Sequence, residues 1–180
     1  MLHAFVFVGE SATKACVIFD TRYGNTAKVG RALSRGLNEA GIEASCVNVR
    51  DATFEYLEQC DLICVGAPTE AFSASKPMKQ FLRTLKNVAL AGKYGFAFDT
   101  KVDSRLSGSA AKFIEKELGD LGLQMIARRE YAFVLNANGE GSTRGAKLMD
   151  GEEDRFVKIG IQIGTAVAAA SAETFGKRPL

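Results

Sequence analysis

The sequence predicts an α/β fold: one domain built on a five-stranded parallel sheet of order 2-1-3-4-5, with helices on both faces in a three-layer sandwich. Three observations carry that expectation. Strand-like and helix-like patterns alternate five times, and parallel neighbours need the right-handed crossovers that helices supply. Residues 62–66 (LICVG) are apolar throughout, as befits a strand buried on both faces. A length of 180 residues with 47% hydrophobic content suffices for one sizeable core.

The elements follow in order. Residues 14–20 (KACVIFD) form a β-branched and aromatic run, after which Thr26, Val29, Leu33 and Leu37 recur at three- and four-residue spacing: strand, then amphipathic helix. Gly41 stops that helix, residues 43–49 supply the second strand, and residues 54–59 a short helix or turn. Pro77 opens a helix that turns Met78, Phe81, Leu82 and Leu85 inward. Residues 94–99 (YGFAFD) are the fourth strand, residues 107–121 the next helix, and residues 124–135 the fifth strand. A polar, Gly-rich segment, 136–149, is expected to be a surface loop, the alternative being that it shapes a partner or substrate opening. Asp150 is placed to cap the last helix in a capping box with Glu153, and Phe156, Ile159, Ile163 and Val167 form its buried stripe. Residues 1–13 are expected to be a tail or extension, 14–172 the domain and 173–180 a second tail.

Composition narrows the function classes. The 23 basic and 21 acidic residues are interspersed, with net charge +2, which argues against nucleic acid as a partner. The apolar run at the N-terminus has no basic residue before it and does not resemble a signal peptide. No other apolar stretch reaches the roughly 18–20 residues of a membrane span, so a soluble protein with no membrane role is expected. Cys16, Cys46, Cys60 and Cys64 contain no C-x-x-C pair and are expected to be reduced core thiols, in keeping with a cytoplasmic setting. His3 is the only histidine, which argues against histidine acid–base chemistry and histidine metal sites, and no carboxylate cluster has metal-ligand spacing.

In a sheet of this order, ligands bind beyond the carboxyl ends of the strands where the strand order reverses, so three loops matter. Residues 21–26 offer two threonine hydroxyls, an arginine, an asparagine amide and Gly24 at the start of a helix, whose N–H groups and dipole favour an anion. The alternative is a turn in which Asn25 or Thr26 merely starts the helix. Residues 66–75 set small side chains around Phe72, which either covers a flat ring or tucks into the core. Residues 99–109 form a long polar loop before a helix, either functional or simply solvated.

With these loops, the chain resembles the flavodoxin-like superfamily of FMN proteins over roughly residues 14–170. VIFDTRYGNTAKV is similar to the family's phosphate loop, a Ser/Thr-rich turn ending in G-N-T. GAPTEAFSASKP and FDTKVDSRLSGSAAK are similar to the two loops that grip the flavin ring; the second resembles a subgroup with an F-D-T-[RK] strand end and a G-S-A-A helix start. LMDGEEDRF is similar to the segment that opens the last helix in that subgroup. The resemblance implies that Thr21, Arg22, Tyr23, Gly24, Asn25 and Thr26 hold the FMN phosphate. It places Pro68, Thr69, Glu70, Phe72 and Ser73 on one side of the isoalloxazine, and Asp99, Thr100, Lys101 and Gly108 on the other. Electron-carrier flavodoxins usually sandwich the ring between Trp and Tyr. This chain has no Trp, and no Tyr between Asp99 and Ser109, so stacking falls to Phe72 or Tyr23. Those carriers are also usually acidic, whereas Lys101 and Arg105 lie in a proposed ring loop here; a less negative reduction potential is expected.

Other functions on this fold lack their residues. A phosphoacceptor domain needs an acidic pair after strand one and an Asp ending strand three, where this chain has Asp20 alone and Gly66-Ala67-Pro68. A D-x-D phosphatase is blocked by Arg22 and Lys101 in the general-acid position. Residues 139–147 match neither nucleotide-loop pattern, and Gly160 with Gly164 marks close helix packing or a dimer face. Three functions stay in play. They are FMN-based electron transfer with a redox protein or small donor or acceptor, an FMN-dependent NAD(P)H oxidoreductase acting on a quinone or similar acceptor, and a flavin-free interaction module.

Overall fold

β1 (Lys14–Phe19) is buried from its second residue onward, which puts it in the middle of the sheet. A turn leads into α1 (Asn25–Glu39), followed by β2 (Glu43–Asn48), α2 (Phe54–Gln59) and β3 (Leu62–Glu70). β4 (Ser73–Ala74) folds back on β3, and α3 (Lys76–Thr84) runs into a single 3₁₀ turn, Leu85–Asn87. β5 (Tyr94–Val102), α4 (Ala110–Asp120), β6 (Gln124–Met125), β7 (Glu130–Leu135), β8 (Lys147–Leu148) and α5 (Glu152–Phe175) complete the chain. This computed structural model describes residues 12–103, 108–135 and 145–175; the expected N-terminal tail up to residue 11, Arg105, most of the Gly-rich segment and residues 176–180 lie outside the described residues.

The long strands pair in the order β2-β1-β3-β5-β7, all parallel, which is the order the sequence predicts. Three two-residue strands are additions: β4 antiparallel to β3, β6 parallel to β5 and β8 antiparallel to β7. The expected fifth strand is thereby split. Met125 pairs Gly95 and Glu130 pairs Phe98, so five steps on one strand oppose three on the other, and residues 126–129 bulge out of the ladder. There the backbone N–H of Arg129 donates to Glu115 of α4 at 3.2 Å and its guanidinium donates to the Tyr131 hydroxyl at 2.8 Å.

Two other expectations shift. The last helix starts at Glu152, directly after Gly151, so Asp150 stands too early to cap it; Glu152 instead pairs with Arg155, which also reaches Glu130. That helix runs on to Phe175, past the point where fraying was expected. Part of the Gly-rich segment is strand β8.

One core cluster fills the face under α1 and α5 with Val29, Leu33, Leu37, Phe98, Phe156 and Val167; the other fills the opposite face with Leu57, Met78, Leu82, Ile114 and Leu118. Helices α1 and α5 touch through glycines. A Cβ on Gly36 would stand 2.0 Å from the Val157 carbonyl oxygen, and one on Gly160 would stand 2.4 Å from that of Leu33. Gly164 likewise faces Ala40. Gly160 and Gly164 therefore serve helix packing within the chain.

Two glycine substitutions separate packing from propensity. Gly→Ala inside a helix gains roughly 0.8–1 kcal/mol of propensity. Gly160→Ala must also displace backbone, an overpacking cost of about 1–3 kcal/mol or more, so net destabilisation is expected. Gly119→Ala, in α4 with nothing within 4 Å, should stabilise. Urea midpoints that move the same way for both variants would contradict this packing.

Candidate functional site

The turn between β1 and α1 is closed by its own residues. Thr21 Oγ1 accepts the Gly24 N–H at 3.0 Å, and Gly24 adopts φ 84°, a left-handed conformation that favours glycine. The Lys28 N–H donates to the Gly24 carbonyl, the first bond of α1. No side chain caps this helix, and its first turn holds no acidic residue. Among the described residues, the N–H groups of Asn25, Thr26 and Ala27 have no acceptor. A helix start in that condition carries a partial positive charge and donors aimed outward.

The side chains of Asn25 and Thr26 are occupied inward. Asn25 Nδ2 donates to the Ala146 carbonyl at 2.8 Å, and its Oδ1 accepts the Leu148 N–H at 3.2 Å, tying α1 to β8. Thr26 Oγ1 lies 2.8 Å from Thr100 Oγ1 in the buried layer. Asp20 is buried and accepts the Ser75 hydroxyl at 2.5 Å, joining β1 to the start of α3. Arg22 and Tyr23 are exposed: the guanidinium sits 5.5 Å from the Tyr23 ring centroid and 3.7 Å from the Glu70 carboxylate. One cleft is lined by Thr21, Arg22, Tyr23, Asn25, Thr26, Pro68, Thr69, Glu70 and Thr100, which brings nine of the sequence-predicted residues together. Val134 and Ala146 complete it. Val134 carries no motif as an apolar strand residue, and Ala146 belongs to the Gly-rich segment 136–149, which the sequence reads as a surface loop or the wall of an opening.

The second expected loop is a hairpin. β3 runs on past Gly66, Thr69 pairs Ala74 and Glu70 pairs Ser73, leaving Ala71 and Phe72 as a two-residue turn. Both have positive φ, 44° and 66°, as a tight hairpin turn of the hand that suits sheet twist requires. Neither is Gly or Asn, so each carries strain of order 1–3 kcal/mol. Phe72 is 71% exposed rather than tucked into the core. Its backbone rests against Gly108, where a Cβ would come within 2.4 Å of Phe72 Cα, and Ser109 N–H donates to the Phe72 carbonyl at 3.4 Å.

Asp99 holds that contact from beneath. Its Oδ2 accepts the Thr69 hydroxyl at 3.0 Å, the Ser109 hydroxyl at 2.9 Å and the Ala111 N–H at 3.0 Å. Thr69 Oγ1 in turn accepts the Ala110 N–H at 2.9 Å, and Ser109 caps α4 by accepting the Lys112 N–H. Asp99 is wholly buried, and its Oδ1 has no partner among the described residues. Burial pushes this carboxyl above the ordinary range, against the pull of its three donors and of Lys101. Lys101 Nζ donates to the Gly108 carbonyl at 3.1 Å and lies 5.1 Å from the Tyr131 ring centroid. Asp99 thus lies under the loops, while Phe72 and Ser73 open onto a groove beside α4. Tyr131 was also missed, since only the β5–β7 register brings it level with Asp99.

The arrangement offers a helix start whose first N–H groups are free to meet an anion in the cleft, with Tyr23 exposed in the same lining. Among the described residues no cysteine lines the cleft or the groove: all four are free, Cys16, Cys60 and Cys64 are buried, and burial pushes the Cys46 thiol up to about 11. Among the described residues, no group of His, Cys, Asp and Glu could hold a metal ion, and no helix is long and apolar enough to cross a membrane.

Known proteins fit this geometry. The family model described as "Flavodoxin domain" matches residues 16–127. A putative diflavin flavoprotein A 4 from Synechocystis is 31% identical over 142 residues, 75% of this chain and 23% of that protein. A putative diflavin flavoprotein A 5 from Nostoc is 32% identical over 114 residues, 59% of this chain and 19% of that one. The chain thus spans about a fifth to a quarter of the length of these relatives. A flavodoxin from the domain Archaea superimposes with a TM-score of 0.72 at 23% identity, covering 87% of this chain and 99% of that one. The flavodiiron protein of Giardia intestinalis does so with a TM-score of 0.71 at 18% identity, covering 89% of this chain and 37% of the other. The family match over more than half of its length, on a sheet of this order, makes this chain a member of the flavodoxin domain family.

Proposed function

We propose that this chain binds FMN and works in electron transfer, and that the uncapped, acid-free start of α1 carries the assignment. The residues present fit the group. A phosphate dianion at this position takes the N–H groups of the first turn and the Thr21 hydroxyl, with the exposed Arg22 nearby. Glycine at position 24 keeps the backbone open, since nothing lies within 4 Å of where a Cβ would stand. Asn25 and Thr26 contribute their backbone, their side chains being engaged with Ala146 and Thr100.

The hairpin would flank the flavin ring with Pro68, Thr69, Glu70, Phe72 and Ser73, and Thr100, Lys101 and Gly108 would bound it from β5 and the start of α4. Asp99 acts beneath them as a positioning residue that joins Thr69 to Ser109. FMN would supply the one- and two-electron chemistry, so the protein need only bind, orient and tune it, which suits a cleft lined, among the described residues, by no cysteine or histidine. Lys101 would be a tuning charge in this arrangement, its ammonium held at the carbonyl of Gly108, which lies against the Phe72 backbone.

Three experiments test this reading. Flavin titration followed by fluorescence quenching should show FMN binding more than about tenfold tighter than riboflavin, given a helix start plus hydrogen bonds to a charged group. Equal affinities would remove the phosphate assignment, and a colourless protein that ignores FMN would sink the whole reading. In redox titrations of the FMN-loaded chain, Lys101→Glu should give a more negative potential than the parent; an unchanged potential would place Lys101 out of range.

The third concerns Asp99. Its folded pKa lies above its unfolded one, so the folded chain binds this proton more tightly, and stability is lost as pH rises from the ordinary carboxylate range through the raised value. Asp99→Asn has no such titration. Its stability relative to the parent should therefore climb as pH rises from the ordinary carboxylate range in urea unfolding; a difference that is flat or falling contradicts the burial of a free carboxyl here.

A further inference from the structure

Beside the hairpin runs a groove lined by Phe72 and Ser73 on one side and by Lys112, Phe113, Glu115, Lys116, Asp120 and Arg129 on the other. Its charges are not balanced. Arg129 is paired with Glu115, and Lys116 with Asp120 at 2.5 Å. Among the described residues, Lys76, Lys79 and Lys112 have no carboxylate within 4 Å, although Lys76 and Lys112 are exposed. Lys79 Nζ lies 5.5 Å from the Phe113 ring centroid, so α3 and α4 are bridged by a cation on an aromatic face.

The positions of these lysines work against local stability. Lys76 and Lys79 stand in the opening turn of α3 and Lys112 in that of α4, and neither turn contains an acidic residue. Helix starts favour acids and disfavour cations. A chain under selection for helix stability alone would carry Asp or Glu there, as α5 does with Glu152, Glu153 and Asp154. The lysines instead add to the positive field of two helix starts, around an aromatic side chain that is 71% exposed. An apolar centre with a cationic rim is the surface that an acidic protein of opposite pattern recognises.

We propose that the Phe72–Phe113 groove, with Lys112 in its lining and Lys79 over the Phe113 ring, is the docking face for an acidic electron-carrier protein. This rests on the electron-transfer reading above. The face adjoins the loops that would flank the flavin, so a carrier seated on it would approach the ring without passing through the sheet. The cations are spread over two helices instead of converging on one point, which suits a broad protein surface better than a single phosphate.

The test uses a plant-type [2Fe–2S] ferredoxin as the acidic probe and cytochrome c as the basic one, with binding measured by calorimetry on both flavin-free and FMN-loaded chain. Ferredoxin should bind, cytochrome c should not, and ferredoxin affinity should fall as salt rises. The double substitution Lys79→Glu with Lys112→Glu should weaken ferredoxin binding by about tenfold or more. Both changes place an acid at a helix start, so folding is not threatened. The charge-matched pair Lys86→Glu with Lys158→Glu, exposed elsewhere, should leave binding unchanged. Equal losses from the two pairs, preference for cytochrome c, no ferredoxin binding, or capture of phosphatidylserine vesicles by the same lysines in place of ferredoxin would overturn the proposal. A chain that binds ferredoxin but never FMN refutes the flavin reading and keeps the docking face; one that binds FMN and ignores ferredoxin does the reverse.

Discussion

The rim of this sheet depends on one buried oxygen. Asp99 Oδ2 takes three donors, from the end of β3, the cap of α4 and the first turn of α4, at 2.9–3.0 Å. Burying a carboxylate without a cation in contact costs several kcal/mol, and hydrogen bonds to a charged acceptor return roughly 1.5–3 kcal/mol each. The two magnitudes are close, which fits a carboxyl held above its ordinary range although three groups donate to it. What the network secures is geometry. It fixes Thr69 against Ser109 and so sets the Ala71–Phe72 turn against Gly108. Two residues with positive φ carry strain of a similar size, and they keep that conformation because α4 forms a wall behind them.

Much of the fold was legible because periodicity and burial coincide. The apolar run at 62–66, the stripe of α1 and the alternation of elements all follow from a sheet covered on both faces, and they suffice for the order of the five long strands. The hairpin was not legible. The sequence ends the third strand at Gly66, ahead of Pro68, yet β3 runs on to Glu70: β1 stops at Phe19 opposite Gly66, so beyond that point β3 pairs only with β5 in the parallel sheet. A proline there withholds no N–H from a ladder that needs it. The turn that follows lacks the Asn-Gly signal that would have announced it.

The site was legible as three loops but not as a set of side-chain roles. Asn25 belongs to a G-N-T segment, and only a contact across 121 positions shows that its amide clamps the backbone of Ala146 and Leu148. Thr26 and Thr100 meet across 74 positions in the same way. Such partnerships rest on sheet register and cannot be recovered from local spacing. The capping box expected at Asp150 failed for a related reason: Glu152 finds Arg155, which Glu130 on β7 also engages, so a strand and not the local sequence decides where α5 begins.

A parallel sheet points the starts of its following helices at one rim, so this chain has several positive helix ends to satisfy, and it treats them differently. α5 brings three acids in its own first turn. α4 is served from outside by Asp99, whose carboxylate takes the Ala111 N–H. α3 has Ser75 before it, with that hydroxyl committed to Asp20. Within the described residues α1 and α3 both lack an acid in the first turn, but the Asp20 carboxylate stands at the start of α3 through Ser75, whereas no carboxylate is hydrogen-bonded at the start of α1, which opens into the cleft. A carboxylate thus stands at the starts of α3, α4 and α5, from a neighbouring strand or from the helix itself, and the open start of α1 is where an external anion is expected. That difference, more than the number of threonines in the loop, distinguishes a phosphate position from an ordinary helix start.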